Sequence, residues 1–435
     1  MRESLFGKYV ALFFPKLQRL IERVNGRRTN LTYLHKGDNA MLRMEYSPDN
    51  KWESTTVNTT YVAADFVALD SELPIKSRSS IAASQGKLPK IGMAKILKES
   101  DINQLNIMEA QGGNAQQIAQ RLANDSVACS VGIDERNEYN FLKALSEGYV
   151  AIEDADNPNA LLRLNFNYLP QNIFGATEKG TIDLYDIKRV IDKADADGNS
   201  ITKILIAKST YDALRQTRAA RELYASYVGV TYGSDDTLAV PSASKFNEAF
   251  ADDNNGIQFV VINRSVITER NGKKTVEKPW AKNRIIFVCN DIVGTLVYGR
   301  LAEQTNPVNH VTYATVDTYK LISEYAEVNP LREITSGQAF CAPIIEDVDQ
   351  IYVLDIDEAE EVDTEAEESD SSDETITVFD NTYTKSTFVE AYNTVTGASL
   401  ATDASDDEII AAVNQLSKAA QKKLQTEAES AIVSE

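Results

Sequence analysis

Apolar residues recur along this chain with two periods, near 3.6 and near 2, and the longest stretch of the first lies between residues 114 and 148. NAQQIAQRLANDSVACSVGIDERNEYNFLKALSEG contains no proline, follows the helix-breaking pair Gly112-Gly113 and ends at a glycine. Asn114 suits an N-cap and Gly148 a C′ residue, so the stretch predicts one helix of about 33 residues. At ~1.5 Å per residue it would be roughly 50 Å long, against the ~30 Å width of a small domain, and must lie across the whole subunit. Turning ~100° per residue places Ile118, Leu122, Cys129 and Ile133 on one side and Val127, Val131, Leu142 and Leu145 roughly opposite. Two apolar faces require burial from two sides, or a break near Gly132 that gives each half its own face.

After this helix the period shortens. YVAI and LLRLNFNY, on either side of the turn-rich EDADNPNA, predict a hairpin in which Leu162, Leu164, Phe166 and Tyr168 alternate as in a half-buried strand. An α/β succession follows: a helix in DLYDIKRVIDKA, the strand KILIAK, a helix from Ser209 to about Tyr224, and the strand IQFVVI. Next come a hairpin around Asn271-Gly272 and the strand RIIFVC. Asn-Gly signals a hairpin because both residues tolerate positive φ. VNHVTYATV, KLISEYAEV and QIYVLDI read as further strands of a body that ends at Ile356.

The pattern is weaker before residue 100. Residues 1–55 hold one amphipathic helix, in LFGKYVALFFPKLQRLIERV, and read as an arm that packs on something else or on its own domain. Lys8, Pro15, Lys16 and Arg19 interrupt that run too often for a membrane span, and no small-residue cleavage site follows, so the protein is expected to be made in the cytosol. In residues 56–100, alternation at Leu88, Ile91 and Met93 predicts an extended two-stranded projection that rejoins the body near Asp101.

Composition and charge narrow the function. With 435 residues, 43% hydrophobic content and a mean hydropathy of −0.31, the chain can build two or three domains with real cores. Residues 357–374 hold 11 acidic and no basic residues, and residues 375–435 hold 9 acidic and 4 basic, so the tail carries most of the net charge of −21. The linker, with no aromatic and one valine, is expected to be a disordered tether. Beyond it, ITVFDNTYTKSTFVEAY predicts a strand, turn and helix. SDDEIIAAVNQLSKAAQKKLQ predicts one helix capped by Ser405, with Glu408 three residues on. The nearly balanced body lacks the basic field a duplex reader needs. Its one basic concentration comprises Lys76, Arg78, Lys87, Lys90, Lys95 and Lys98, with no acidic residue between residues 76 and 98. These six are candidates for contact with an acidic neighbouring subunit, against the plainer reading of a solvated loop.

No catalytic set emerges. The two histidines, His35 and His310, stand in unrelated stretches and read as structural, which leaves no His-based triad and no multi-histidine metal site within one chain. DKADADGNS resembles a calcium loop only until its register is counted: Lys193 and Ile204 fall at the first and last ligand positions, so a polar helix-to-strand turn is expected. Cys129, Cys289 and Cys341 are far apart and read as buried thiols. No P-loop or dinucleotide fingerprint occurs, and neither an enzyme nor a cofactor is expected.

The order of parts resembles a tailed-phage major capsid protein of the Hong Kong 97 fold, and within it the capsid protein family of phage lambda, over residues ~60–356. Three segments carry the resemblance: FVVINRSVITERNGKKTVEKPWAKNRIIFVCNDIVGTLVYG, NPLREITSGQAFCAPIIEDVDQIYVLDI and ITKILIAKSTYDALRQ. It implies an α+β capsid fold with an N-terminal arm at 1–55, an extended loop at 56–100, and a peripheral domain with a spine helix at 101–175. An axial domain would occupy 176–296, peripheral return strands 297–338, and a closing axial strand 339–356. An acidic linker at 357–374 and a small module at 375–435 extend past the point where the lambda-type proteins essentially stop. The function implied is a structural head protein whose pentamers and hexamers form an icosahedral shell around a double-stranded DNA genome, without sequence-specific DNA binding and without a membrane. Portal, scaffold and decoration proteins would be further partners, with assembly in the bacterial host cytoplasm and residence in the virion capsid. Two other classes share parts of this pattern: an encapsulin-type compartment, marked by an enzyme cargo and DNA-free shells, and a soluble α/β enzyme or binding module that forms only a small oligomer.

Overall fold

The computed structural model describes residues 33–57, 81–111, 115–153, 161–231, 233, 238–270, 272–359, 375–379, 381–396, 406–414 and 416–427. Contacts divide the chain into two units, Met1–Glu360 and Glu361–Glu435. In the first, the long helix runs unbroken from Ala115 to Glu147. It ends as the sequence predicts, with Gly148 at φ +76 and its N–H bonded to the Ala144 carbonyl at 2.8 Å, while Asn114 lies outside the described residues.

The strands before and just after this helix are β1 (Leu42–Tyr46), β2 (Lys51–Val57), β3 (Ile81–Lys87), β4 (Lys90–Lys98), β5 (Tyr149–Glu153), β6 (Leu161–Asn165) and β7 (Ile173–Ala176). The middle of the chain adds β8 (Lys203–Ala207), β9 (Gln258–Ile262), β10 (Val266–Arg270), β11 (Lys273–Glu277) and β12 (Arg284–Val288). The last strands of this unit are β13 (Gly294–Gly299), β14 (Thr312–Val316), β15 (Lys320–Val328), β16 (Leu331–Ile345) and β17 (Ile351–Ala359). One sheet has the order β1-β13-β16-β15-β14, with β4 also paired to β16; the other has the order β7-β17-β12-β8-β9. Helices Leu184–Ala196, Lys208–Leu214, Arg218–Tyr227 and Ala243–Asp253 accompany the second sheet, whose core includes the packed rings of Tyr211, Phe246, Phe250 and Phe259. This mixture of largely antiparallel sheet and segregated helices is the α+β class expected.

The long helix packs across β4 and β16 of the first sheet. Gly132 permits the approach, because a Cβ there would collide with the Met93 sulfur on β4. The helix does not break at Gly132, and its described side chains are buried on both sides, Ile118 and Leu122 lying outside the described side chains. Val127 and Cys129 join Val316 and Ile322 in one cluster, and Ile133, Phe141, Leu142 and Leu145 join the large core shared by β12, β13, β16 and β17. Val131 departs from its expected burial and is only half-buried.

Other departures have local causes. The single helix expected from Ser209 to Tyr224 is two, because Thr217 accepts the Ala220 N–H and donates to the Leu214 carbonyl, capping a new start. Leu331–Ile345, expected to divide between return strands ending at residue 338 and a closing strand from 339, is one continuous strand of 15 residues in the middle of the first sheet, its Glu333, Thr335 and Ser336 all buried. The expected two-stranded projection begins earlier, since β2 pairs with β3 from Lys51 onward, and the chain enters the first sheet at Lys90 rather than near Asp101. Within the expected arm, β1 pairs in parallel with β13, so the described part of residues 1–55 is built into its own body. Residues 1–32 and 58–80, including the predicted amphipathic helix, lie outside the described residues.

The second unit holds a hairpin of β18 (Thr375–Val378) and β19 (Asn381–Thr384) where one strand was expected, then helices Lys385–Thr396, Asp406–Asn414 and Lys418–Glu427. Phe388, Val389, Ile409 and Leu424 form its core. The one helix expected after Ser405 is two, Ser417 accepting the Ala420 N–H to start the last. Ser405 and the linker residues 360–374 lie outside the described residues.

Candidate functional site

The middle of the long helix carries a buried polar face: Ser126, Ser130, Asp134, Asn137 and Glu138 are each at most 1% exposed. The spacing of Asp134 and Glu138, one turn apart, aligns their carboxylates. They hold down the strap Tyr33–Lys36, which leads into β1. Glu138 accepts the backbone N–H groups of Leu34 and His35 at 3.1 Å and stands 2.6 Å from His35 Nδ1. Asp134 Oδ2 accepts from Lys36 Nζ at 2.5 Å, and Asp134 Oδ1 lies 2.5 Å from Nζ of the fully buried Lys320. Asp317 also accepts from Lys320, at 2.7 Å, and from Lys36, at 3.3 Å. Beside them Glu135 accepts from Tyr33 and from Arg264.

Burial and pairing compete at each of these groups. Burial alone would raise Asp134, but His35, Lys320 and Lys36 hold its carboxyl well below the usual range. Burial would likewise raise Asp317, and Lys320 with Lys36 lowers it. For Lys36, burial would lower the ammonium and Asp134 with Asp317 raises it. Burial would depress the His35 imidazole, yet the two carboxylates around it raise it above its ordinary value. Further along the helix Ser126 Oγ donates to Glu324 Oε1 at 2.5 Å, and burial, reinforced by Glu333 and Asp125, pushes Glu324 up to about 7.

Four of the six sequence-predicted contact residues are among the described residues, and those on β4 do not share one face. Lys76 and Arg78 lie outside the described residues. Lys87, Lys90, Lys95 and Lys98 are exposed, and strand alternation divides those on β4: Lys95 shares the helix-facing side with Ile91 and Met93, while Lys90 and Lys98 point the other way. Beside Lys95 opens a groove of about 730 Å³ between β4, the long helix and the β10–β11 hairpin. Ile91, Met93, Val131 and Ile267 form its apolar walls, and Arg136 and Glu269 stand with Lys95 among its lining residues. On the hairpin, Ile267 and Val276 are cross-strand partners left 65% and 70% exposed. Sequence reasoning missed both features, because the groove and the charge cluster join segments far apart in the chain.

Nucleophilic chemistry has little basis in these side chains. Burial pushes the thiols of Cys129, Cys289 and Cys341 each up to about 12, so they stay protonated at neutral pH; Cys289 is half-buried where full burial was expected. His310 is exposed, and Asp197, in the calcium-like stretch, accepts from Tyr352 Oη and Lys193 Nζ. Among the described residues no group of three or more His, Cys, Asp or Glu side chains gathers to hold a metal, and no helix is long and apolar enough to cross a membrane.

The family model described as Phage major capsid protein E matches residues 18–316. No curated protein matches the chain. Similar solved structures include a phage-related protein of Bordetella bronchiseptica RB50, 10% identical over 79% of this chain and 96% of that one, with a TM-score of 0.40. The cyanophage A-1(L) capsid is 12% identical over 73% of this chain and 91% of that one, with a TM-score of 0.40. The holo-SrpI encapsulin complex of Synechococcus elongatus PCC 7942 is 10% identical over 79% of this chain and 95% of that one, with a TM-score of 0.35.

Proposed function

The chain belongs to the phage major capsid protein E family and is a structural protein of the phage head, and from that membership we propose that its copies close into pentamers and hexamers of an icosahedral shell around a double-stranded DNA genome. The family match carries this reading. Closed shells require heterologous contacts repeated around rings. We assign that role to the basic segment 76–98, reaching a neighbouring subunit, and to the groove beside Lys95, whose apolar walls and exposed Ile267–Val276 pair would be covered in the assembly. Each exposed ion pair contributes only ~0 to 1 kcal/mol, but the contact repeats in every copy.

In this reading residues 101–175 with 297–338 serve as the peripheral domain, 176–296 with 339–356 as the axial domain, and the long helix as the spine. The shell would form in the host cytoplasm on a scaffold, take up DNA through a portal without reading its sequence, and offer its outer face to a decoration protein. The acidic linker and the module at 375–435 face outward, because packed DNA repels their excess negative charge.

Imaging of purified assemblies tests the whole reading: DNA-filled icosahedral heads support it, DNA-free shells with an enzyme cargo favour a compartment, and a small oligomer overturns both. Reversal of Lys87, Lys90 and Lys95 to Glu tests the contact. The monomer should fold, and shell formation should fail most at low salt, where screening is weakest. Normal shells from this variant would remove the basic segment from the interface. Protease should cut filled particles between Asp357 and Glu374 while the shell stays intact; protection there places the tail inside.

A further inference from the structure

We propose that His35 is a proton-operated staple, clamping the strap Tyr33–Lys36 to the long helix as an imidazolium and releasing it as the pH rises. The geometry asks for two protons on the ring. His35 is fully buried between carboxylates on successive helical turns, with Nδ1 2.6 Å from Glu138 Oε2 and Nε2 3.9 Å from Asp134 Oδ1. Nε2 has no hydrogen-bond partner in the structure. A neutral imidazole has one bare nitrogen, so either tautomer would aim a lone pair at a buried carboxylate. Only the imidazolium presents an N–H to both.

The surrounding charges agree. The long helix contributes Asp134, Glu135 and Glu138; the strap contributes Tyr33 and Lys36; the turn into β15 contributes Asp317, Tyr319 and Lys320; and the segment after β9 contributes Arg264. Four carboxylates meet three fixed cations, so the cluster is neutral only when His35 carries its proton. A buried uncompensated charge is costly, and the strap is the piece that can leave. Glu138 holds the strap through the ring and through the amides of Leu34 and His35, so loss of the clamp exposes those amides. The sign follows from the raised imidazole value: the clamp is at full strength below the ordinary histidine range of about 6.5 and is lost as pH rises through the higher folded value.

The chain contains only two histidines, one of them exposed, which makes a direct test practical. Slow deuterium exchange at the imidazole C2 position, read by mass spectrometry on the full chain across pH, reports each ring separately. His35 should titrate above the ordinary histidine value of about 6.5, and amide exchange in the peptide covering Leu34 and His35, corrected for the intrinsic pH effect, should accelerate through the same transition. A His35 titration at or below about 6.5, or strap protection unchanged across it, overturns the proposal. His35→Gln, neutral at every pH, should abolish the pH dependence of strap exchange; persistence of that dependence in the variant also overturns it. The wild-type titration stands whether or not the variant folds.

Discussion

The long helix meets the body in two chemically different ways. From Phe141 to Leu145 it presents Phe141, Leu142, Ala144 and Leu145, none of them exposed, to an apolar core. From Ser126 to Glu138 it presents hydroxyls, an amide and carboxylates to Lys320, His35, Lys36 and Glu324. Apolar burial is proportional to area and indifferent to pH, so the first end anchors the helix under any condition in which the chain folds. The polar middle is directional: each group is favourable only while its partner and its proton are in place. One helix therefore joins a fixed anchor to a conditional clasp.

Asp134→Ala should have the largest effect, because it leaves Lys320 buried without one of its two carboxylates and removes a partner from Lys36 and His35. The expected loss is ~3 to 5 kcal/mol in urea unfolding of the full chain, and a loss below ~1 kcal/mol would show that the clasp is open to water. Leu145→Ala should cost ~2 to 5 kcal/mol as a large-to-small core change. Its cost should be the same at pH 5 and pH 9, and a change between them would erase the distinction between the two ends. The third effect is smaller and belongs to Glu324. Its folded value is raised from 4.5 to about 7, so its contribution is present below 4.5 and lost as pH rises through about 7. The window corresponds to about 3 kcal/mol at most. Glu324→Gln, neutral throughout, should flatten that part of the stability profile, and an unchanged profile would assign the pH dependence to His35 instead.

Much of this was legible in the residues themselves. The run from Asn114 to Gly148 pointed to one long helix stopped by a glycine at positive φ, and left open only a break near Gly132 that the structure does not contain. Asn271-Gly272 specified a hairpin, and the short continuous apolar runs in KILIA and RIIFV specified strands, because turn sterics and apolar runs act within a few residues. The order of those parts was enough to indicate the family that the match to residues 18–316 then established.

Tertiary structure alone decided the rest, for one physical reason: a polar side chain carries no local sign of where its partner lies. Nothing local in LREITSGQAFCAPII says that Thr335 and Ser336 are buried, Ser336 sharing a hydrogen bond with Ser323 of the neighbouring strand. Val131, apolar and at a helical position suited to the core, was left half-buried at the edge of a groove whose other walls come from β4 and the β10–β11 hairpin. His35 has only Lys36 and Asp38 as charged residues within three positions, and the two carboxylates that flank its ring lie about a hundred residues further on. Periodicity determines which residues share a face, whereas long-range packing determines whether that face meets hydrocarbon, an opposite charge or water, and so which of its groups can respond to a proton.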